Sequence, residues 1–137
     1  MTVIVTNKSL NFMIEKLSNM PANMVGFRAT GEVTREDFTD LVMPQVERLV
    51  AATGKLNYML VLDTSPKAFT VSAWLQDILL GIKNLTKWNR AAIVTDSNSI
   101  QSFTTVFSIL MPGEFKGFDK IDIDKAVEWV SEKIELP

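Results

Sequence analysis

Apolar and polar positions change period several times along the chain, and each change marks an element. Leu56 to Asp63, LNYMLVLD, is an almost unbroken apolar run that stops at an acid. Such a run predicts a strand buried on both faces. Ala68 to Leu85, AFTVSAWLQDILLGIKNL, follows it and is apolar well beyond one helical stripe. A helix over Thr70 to Lys83 must therefore be covered on more than one side. Upstream, Phe12 to Leu17 and Met24 to Thr30 read as strands. Between them lies SNMPAN, where Pro21 and Asn23 favour a turn, so the pair predicts an antiparallel hairpin. Thr2 to Thr6 also alternates but is short, and reads equally as an edge strand or a terminal arm.

Thr34 can cap a helix, with Asp37 three residues on in a variant of the capping box. Phe38, Leu41, Val42, Val46, Leu49 and Val50 then recur at helical spacing until Gly54, a C-terminal cap. Pro44 falls within this helix, deletes one hydrogen bond and should kink its axis. Further along, Ala91 to Asp96 reads as a strand and Ser99 to Leu110 as a helix stopped by Pro112 and Gly113. Phe115 to Phe118 reads as a last short strand, and Asp122 as the cap of a final helix with Ala126 and Val130 facing the core. A hairpin followed by alternating helix and strand predicts an α/β fold, a single mixed β-sheet with about four helices packed on it. No repeat or linker divides residues 1–137, which read as one domain.

Taken in order, several pieces resemble the SpoIIAA-like family, which shares the STAS fold. They are VGFRATGEVTREDF (25–38), MPQVERLVAATGKL (43–56), LVLD (60–63), WLQDILLGIKNL (74–85), AAIVTD (91–96) and MPGEFKGFD (111–119). The likeness spans about residues 12–134. It implies an open sheet with a hairpin start, helices largely on one side, and a relation to the CRAL-TRIO lipid-carrier fold. STAS antagonists carry a phosphorylatable Ser in an Asp-Ser-Ser-Gly run after the third strand. This chain reads AFTVSAW there, with Thr70 and Ser72 as nearby hydroxyls. The resemblance therefore brings across no phosphoserine switch and no catalytic residue.

Composition removes much chemistry. The chain has no Cys and no His, hence no thiol nucleophile, disulfide, imidazole base or His-ligated zinc. Fourteen basic against sixteen acidic residues give a net charge of −2, which offers no general attraction to nucleic acid. No apolar run reaches the roughly 20 residues that span a bilayer, and the first residues carry no secretory pattern. The expectation is a cytoplasmic, non-enzymatic protein with no cofactor and no metal, touching the inner membrane at most peripherally.

The candidate chemistry lies in surplus apolar surface. A cleft between the two most apolar helices would take a lipid-like ligand, lined by Trp74, Ile78, Phe103, Phe107 and Met111, with Ile109 widening the surface. A homodimer interface would cover the same side chains. Lys83 to Arg90, KNLTKWNR, holds three cations and no acid. Lys83, Lys87 and Arg90 read either as cations at a helix C-terminus or, with Trp88 at the headgroup level, as contacts to anionic lipid. Asp63 and Asp96 end two strands expected to be parallel, where paired carboxylates can hold Mg²⁺; helix capping explains them without a metal. Asp119, Asp122 and Asp124 have no calcium-loop spacing. The alternative to a ligand carrier is a STAS-type regulatory module that binds a protein partner.

Overall fold

A computed structural model describes residues 14–30, 35–63, 87–110 and 113–132. Its five strands are β1 (Ile14–Lys16), β2 (Val25–Ala29), β3 (Leu56–Leu62), β4 (Trp88–Val94) and β5 (Glu114–Phe118). They form one sheet in the order β1-β2-β3-β4-β5. β1 pairs antiparallel with β2, and every later pairing is parallel. The fold is thus the expected mixed α/β sheet with an N-terminal hairpin. Three helices accompany it among the described residues: α1 (Met43–Thr53), α2 (Asn98–Leu110) and α3 (Ile123–Ser131). The helix expected over Thr70 to Lys83 and the segment Thr2 to Thr6 lie outside the described residues.

β3 is the central strand, and all seven of its residues are buried. Strand geometry sends alternate side chains to opposite faces. Leu56, Tyr58, Leu60 and Leu62 join Phe27, Ala91 and Ile93 on the face covered by Val42, Val46 and Leu49, and Ile100 of α2 belongs to the same cluster. Met59 and Val61 join Ala92 and Val94 on the other face, beneath Ala126 and Val130 of α3. The unbroken apolar pattern of Leu56 to Leu62 is the consequence of this double covering. Helices therefore flank both faces, with α3 on the side opposite α1 and α2.

Pro44 does not simply bend a continuous helix. The helix begins at Arg35–Asp37, widens to a π-helical turn over Phe38–Val42 and resumes as α1. The Met43 N–H donates to the Phe38 carbonyl across that turn. Pro44 lacks an N–H and its ring clashes with the carbonyl four residues back. The wider turn moves it to the first positions of α1, where no such bond is needed. Gly54 ends α1 as expected, at φ 77° with its N–H on the Val50 carbonyl at 2.8 Å.

The expected cap at Asp122 is not formed: no side-chain capping bond is made there, and the carboxylate lies 3.6 Å from Lys125 instead. Its φ of −101° and ψ of 21° are not the extended geometry that aims a capping side chain at the first turn. At α2 the capping oxygen comes from Ser97, which accepts the Ile100 N–H at 3.3 Å.

Candidate functional site

Two regions gather side chains suited to chemistry or binding, one at each end of the parallel strands. At the carboxyl end, adjacent β3 and β4 bring Asp63 and Asp96 to the same edge, as their place at the ends of two strands expected to be parallel implied. Lys120 spans them. Its ammonium donates to Asp63 Oδ1 at 3.0 Å, and its backbone N–H donates to Asp96 Oδ1 at 3.0 Å. The Lys120 hydrogen bond and charge, helped by Arg28, hold the Asp63 carboxyl below the usual carboxylate range. Gln101 extends the clasp by donating to the Thr95 carbonyl at 2.7 Å and to Asp119 at 2.8 Å. Both aspartates serve to tie the β5–α3 connection to the sheet. Among the described residues no cluster of three or more acidic side chains has the arrangement to hold a metal ion.

At the amino end, four aromatic rings from four successive strands form a row on the face covered by α1 and α2. Phe27 and Tyr58 have centroids 5.6 Å apart, Tyr58 and Trp88 5.9 Å, and Trp88 and Phe115 5.0 Å. All four are buried. Two of them carry donors: the Tyr58 hydroxyl and the Trp88 indole N–H are buried and find no hydrogen-bond partner among the described residues. Burial drives the Tyr58 phenol far above its ordinary pKa, so it stays protonated.

This arrangement corrects the membrane-contact reading of Trp88 and Arg90. Both lie in β4, 7% and 8% exposed, not at a helix C-terminus facing lipid. A register shift between Leu56 and Asn57 gives β4 an extra residue there, so Trp88 faces the α1 layer while Arg90 faces α3. The Arg90 guanidinium donates to the Trp129 carbonyl at 2.8 Å, pairs with Glu114 at 3.2 Å and Glu132 at 3.3 Å, and stands 4.8 Å over the Trp129 ring. Its role is to satisfy the last turn of α3. Lys87 is exposed, and Lys83 lies outside the described residues.

Around Arg90 a cavity of about 360 Å³ is lined by Asn23, Thr53, Lys55, Asn57, Asn89 and Glu132. A chain of amides crosses it: Asn89 donates to Asn57 at 2.8 Å, Asn57 to the Asn23 carbonyl at 2.9 Å, and Asn23 to the Ser131 carbonyl at 2.9 Å. These bonds are spent within the fold, joining α3 to the starts of the strands.

Of the expected ligand contacts, Trp74, Ile78 and Met111 lie outside the described residues. Phe103 and Phe107 belong to α2, with side chains outside the description. The rest of α2 is informative. Ile100 and Thr104, one turn apart, are fully buried, whereas Ile109 is 80% exposed. The helix NSIQSFTTVFSIL carries no charged residue. It returns from the carboxyl end of β4 to the amino end of β5, as a parallel crossover requires. Gly113, just beyond it, lies so close to β4 that a Cβ there would sit 3.1 Å from the Trp88 carbonyl. The exposed Ile109 is therefore at the indole's end of the sheet.

The SpoIIAA-like family profile matches residues 24–131. The chain belongs to the SpoIIAA-like family. A crystal structure of a protein of the DUF3478 family from Shewanella loihica PV-4, described as having a SpoIIAA-like fold, is similar to it. The two are 27% identical with a TM-score of 0.58, and the match covers 85% of this chain and 93% of that one. No curated protein sequence shows a significant match. The SpoIIAA-like fold is one of binding and regulatory modules. Among the described residues no helix is long and apolar enough to cross a membrane.

The aromatic row was only partly legible in the sequence. Phe27, Tyr58, Trp88 and Phe115 are far apart along the chain, and only strand order and register align them. The signal available was a large ring within three of the expected strands, with Trp88 lying ahead of the expected strand Ala91 to Asp96. The amide chain at the amino edge was not legible, since three isolated Asn residues carry no spacing that marks them.

Proposed function

We propose that this SpoIIAA-like protein is a non-enzymatic binding module that reversibly takes up an apolar, lipid-like molecule between α2 and the aromatic row. The observation that carries this reading is the character of α2. Thirteen residues include no charge, and Ile109 faces water at 80% exposure. A helix lying on a sheet normally presents charged residues to solvent. Movement of α2 against the sheet would uncover more apolar surface, and a ligand that prefers the opened state would populate it. The same helix can rest its exposed side on a lipid surface, which gives peripheral membrane contact as a variant of one activity.

The test uses the uncharged fluorophore N-phenyl-1-naphthylamine and vesicles of phosphatidylcholine with phosphatidylglycerol. The parent protein should take up the fluorophore or sediment with the vesicles. Ile109→Asp should weaken that uptake about tenfold, the size expected for losing one buried aliphatic side chain. Because Ile109 is exposed, its melting temperature should not change. A parent that ignores both fluorophore and vesicles refutes the reading. A second reading, a STAS-type regulatory module, rests on the family fold. Retrieval of one stoichiometric protein partner that Ile109→Asp abolishes would favour it instead.

A further inference from the structure

The two buried donors in the aromatic row say what kind of molecule the apolar site takes. More than about nine in ten buried polar groups in folded proteins are hydrogen-bonded. Tyr58 is fully buried, Trp88 is 7% exposed, and neither the hydroxyl nor the indole N–H has a partner among the described residues. They are not scattered. Their rings meet edge-on at 80° with centroids 5.9 Å apart, on neighbouring strands and on one face. A hydroxyl can donate or accept, but an indole N–H only donates. A group that satisfies both must therefore be an acceptor.

We propose that Tyr58 Oη–H and Trp88 Nε1–H are the polar anchor of the apolar site and donate to the carbonyl oxygen of an uncharged lipid-like molecule, a ketone or an ester. This rests on the reading of α2 and the aromatic row as an apolar binding site. The ligand is uncharged because Lys87, next to Trp88, is exposed to water, and Arg90 faces the opposite side of the sheet and is committed to Glu114, Glu132 and the Trp129 carbonyl. A carboxylate beside Phe27, Tyr58, Trp88 and Phe115 would lose its hydration without gaining a buried counter-charge among the described residues. A single carbonyl oxygen has two lone pairs and can accept from both donors. Ligand pockets are generally apolar with a few fixed polar groups, and the row sets two donors among four aromatic rings. The exposed Ile109 and the indole lie at the same end of the sheet.

The experiment loads the full chain with N-phenyl-1-naphthylamine, which has no oxygen, and displaces it with either of two molecules of one shape. These are 2-octanone and 2-methyl-1-octene, in which a methylene replaces the carbonyl oxygen. Tyr58→Phe removes only the hydroxyl. It should weaken displacement by the ketone about fivefold and leave the alkene within about twofold, as expected for one lost hydrogen bond. Without ligand, Tyr58→Phe should melt no lower than the parent, since an unpaired buried hydroxyl is lost. Trp88→Phe should show the same selective loss; should it fail to fold, Tyr58→Phe decides alone. Equal effects on ketone and alkene, no effect on either, or a lower melting temperature of unliganded Tyr58→Phe overturns the anchor while leaving the apolar site standing. A parent that never binds the fluorophore overturns both.

Discussion

Replacing Arg90 with Met should cost the fold about 3 kcal/mol, an expectation built from what the guanidinium touches. Arg90 is 8% exposed; its head donates to the Trp129 carbonyl at 2.8 Å and lies 4.8 Å above the Trp129 ring. A hydrogen bond from a charged donor is worth about 1.5–3 kcal/mol, and a partly desolvated cation–π contact about 0.5–2 kcal/mol. The two ion pairs add little. Glu114 and Glu132 have side chains 62% and 56% exposed, so each rehydrates when its partner goes. Met fills much of the space of the aliphatic stem, so packing loss is small. For a 137-residue chain the unfolding entropy is about 0.29 kcal/mol/K, from roughly 2.1 cal/mol/K per residue, which turns 3 kcal/mol into a fall of about 10 °C. Thermal melts followed by circular dichroism measure it directly, and urea titration should show a lower midpoint at unchanged slope. Glu114→Gln and Glu132→Gln should each shift the melt by no more than about 3 °C, the range for an exposed pair. An Arg90→Met protein melting within about 2 °C of the parent would falsify the reasoning. So would a parent destabilised equally by about 1 M salt, since that would mark the contacts as screened surface pairs.

The Asp63–Lys120 clasp should show in acid. Asp63 should titrate below the ordinary aspartate value of about 3.9, and Lys120→Met should move it back up, read by carboxyl NMR. With the folded pKa depressed, the clasp's stabilisation is complete above the unfolded value and is lost as pH falls through the folded one. The gap in melting temperature between parent and Lys120→Met should therefore close in acid; a gap that persists once Asp63 is protonated contradicts the assignment. Two glycines at positive φ should respond differently to alanine. Gly54→Ala, at φ 77° with nothing within 4 Å of the added Cβ, should cost about 1–2 kcal/mol for the left-handed backbone alone. Gly113→Ala, at φ 89°, places its Cβ 2.9 Å from the Asn89 carbonyl and should cost clearly more in the same urea assay. Equal costs would mean that the Gly113 turn can move off β4.

How far the sequence reached depended on the range of each signal. The β-hairpin, the fully buried β3, the Gly54 cap and the boundaries of α2 follow from local pattern, because apolar period, turn residues and capping act within a few positions. Asp63 and Asp96 could be placed on one edge, because each ends a strand and successive parallel strands tend to be neighbours. Pro44 was read correctly as a disturbance, but the π-helical turn that absorbs it depends on how Phe38 to Val42 pack against the sheet. KNLTKWNR is the instructive failure. Its composition reads as a surface, yet a one-residue register shift turns Trp88 into the aromatic row and Arg90 onto α3. Single residues at Phe27, Tyr58 and Phe115 say nothing of one another until strand order aligns them. Local chemistry thus determined which elements form and that α2 carries no charged residue. Register and layer packing alone decided which side chains meet, because contacts between residues 30 or more positions apart are set by the whole sheet and by no short stretch of chain.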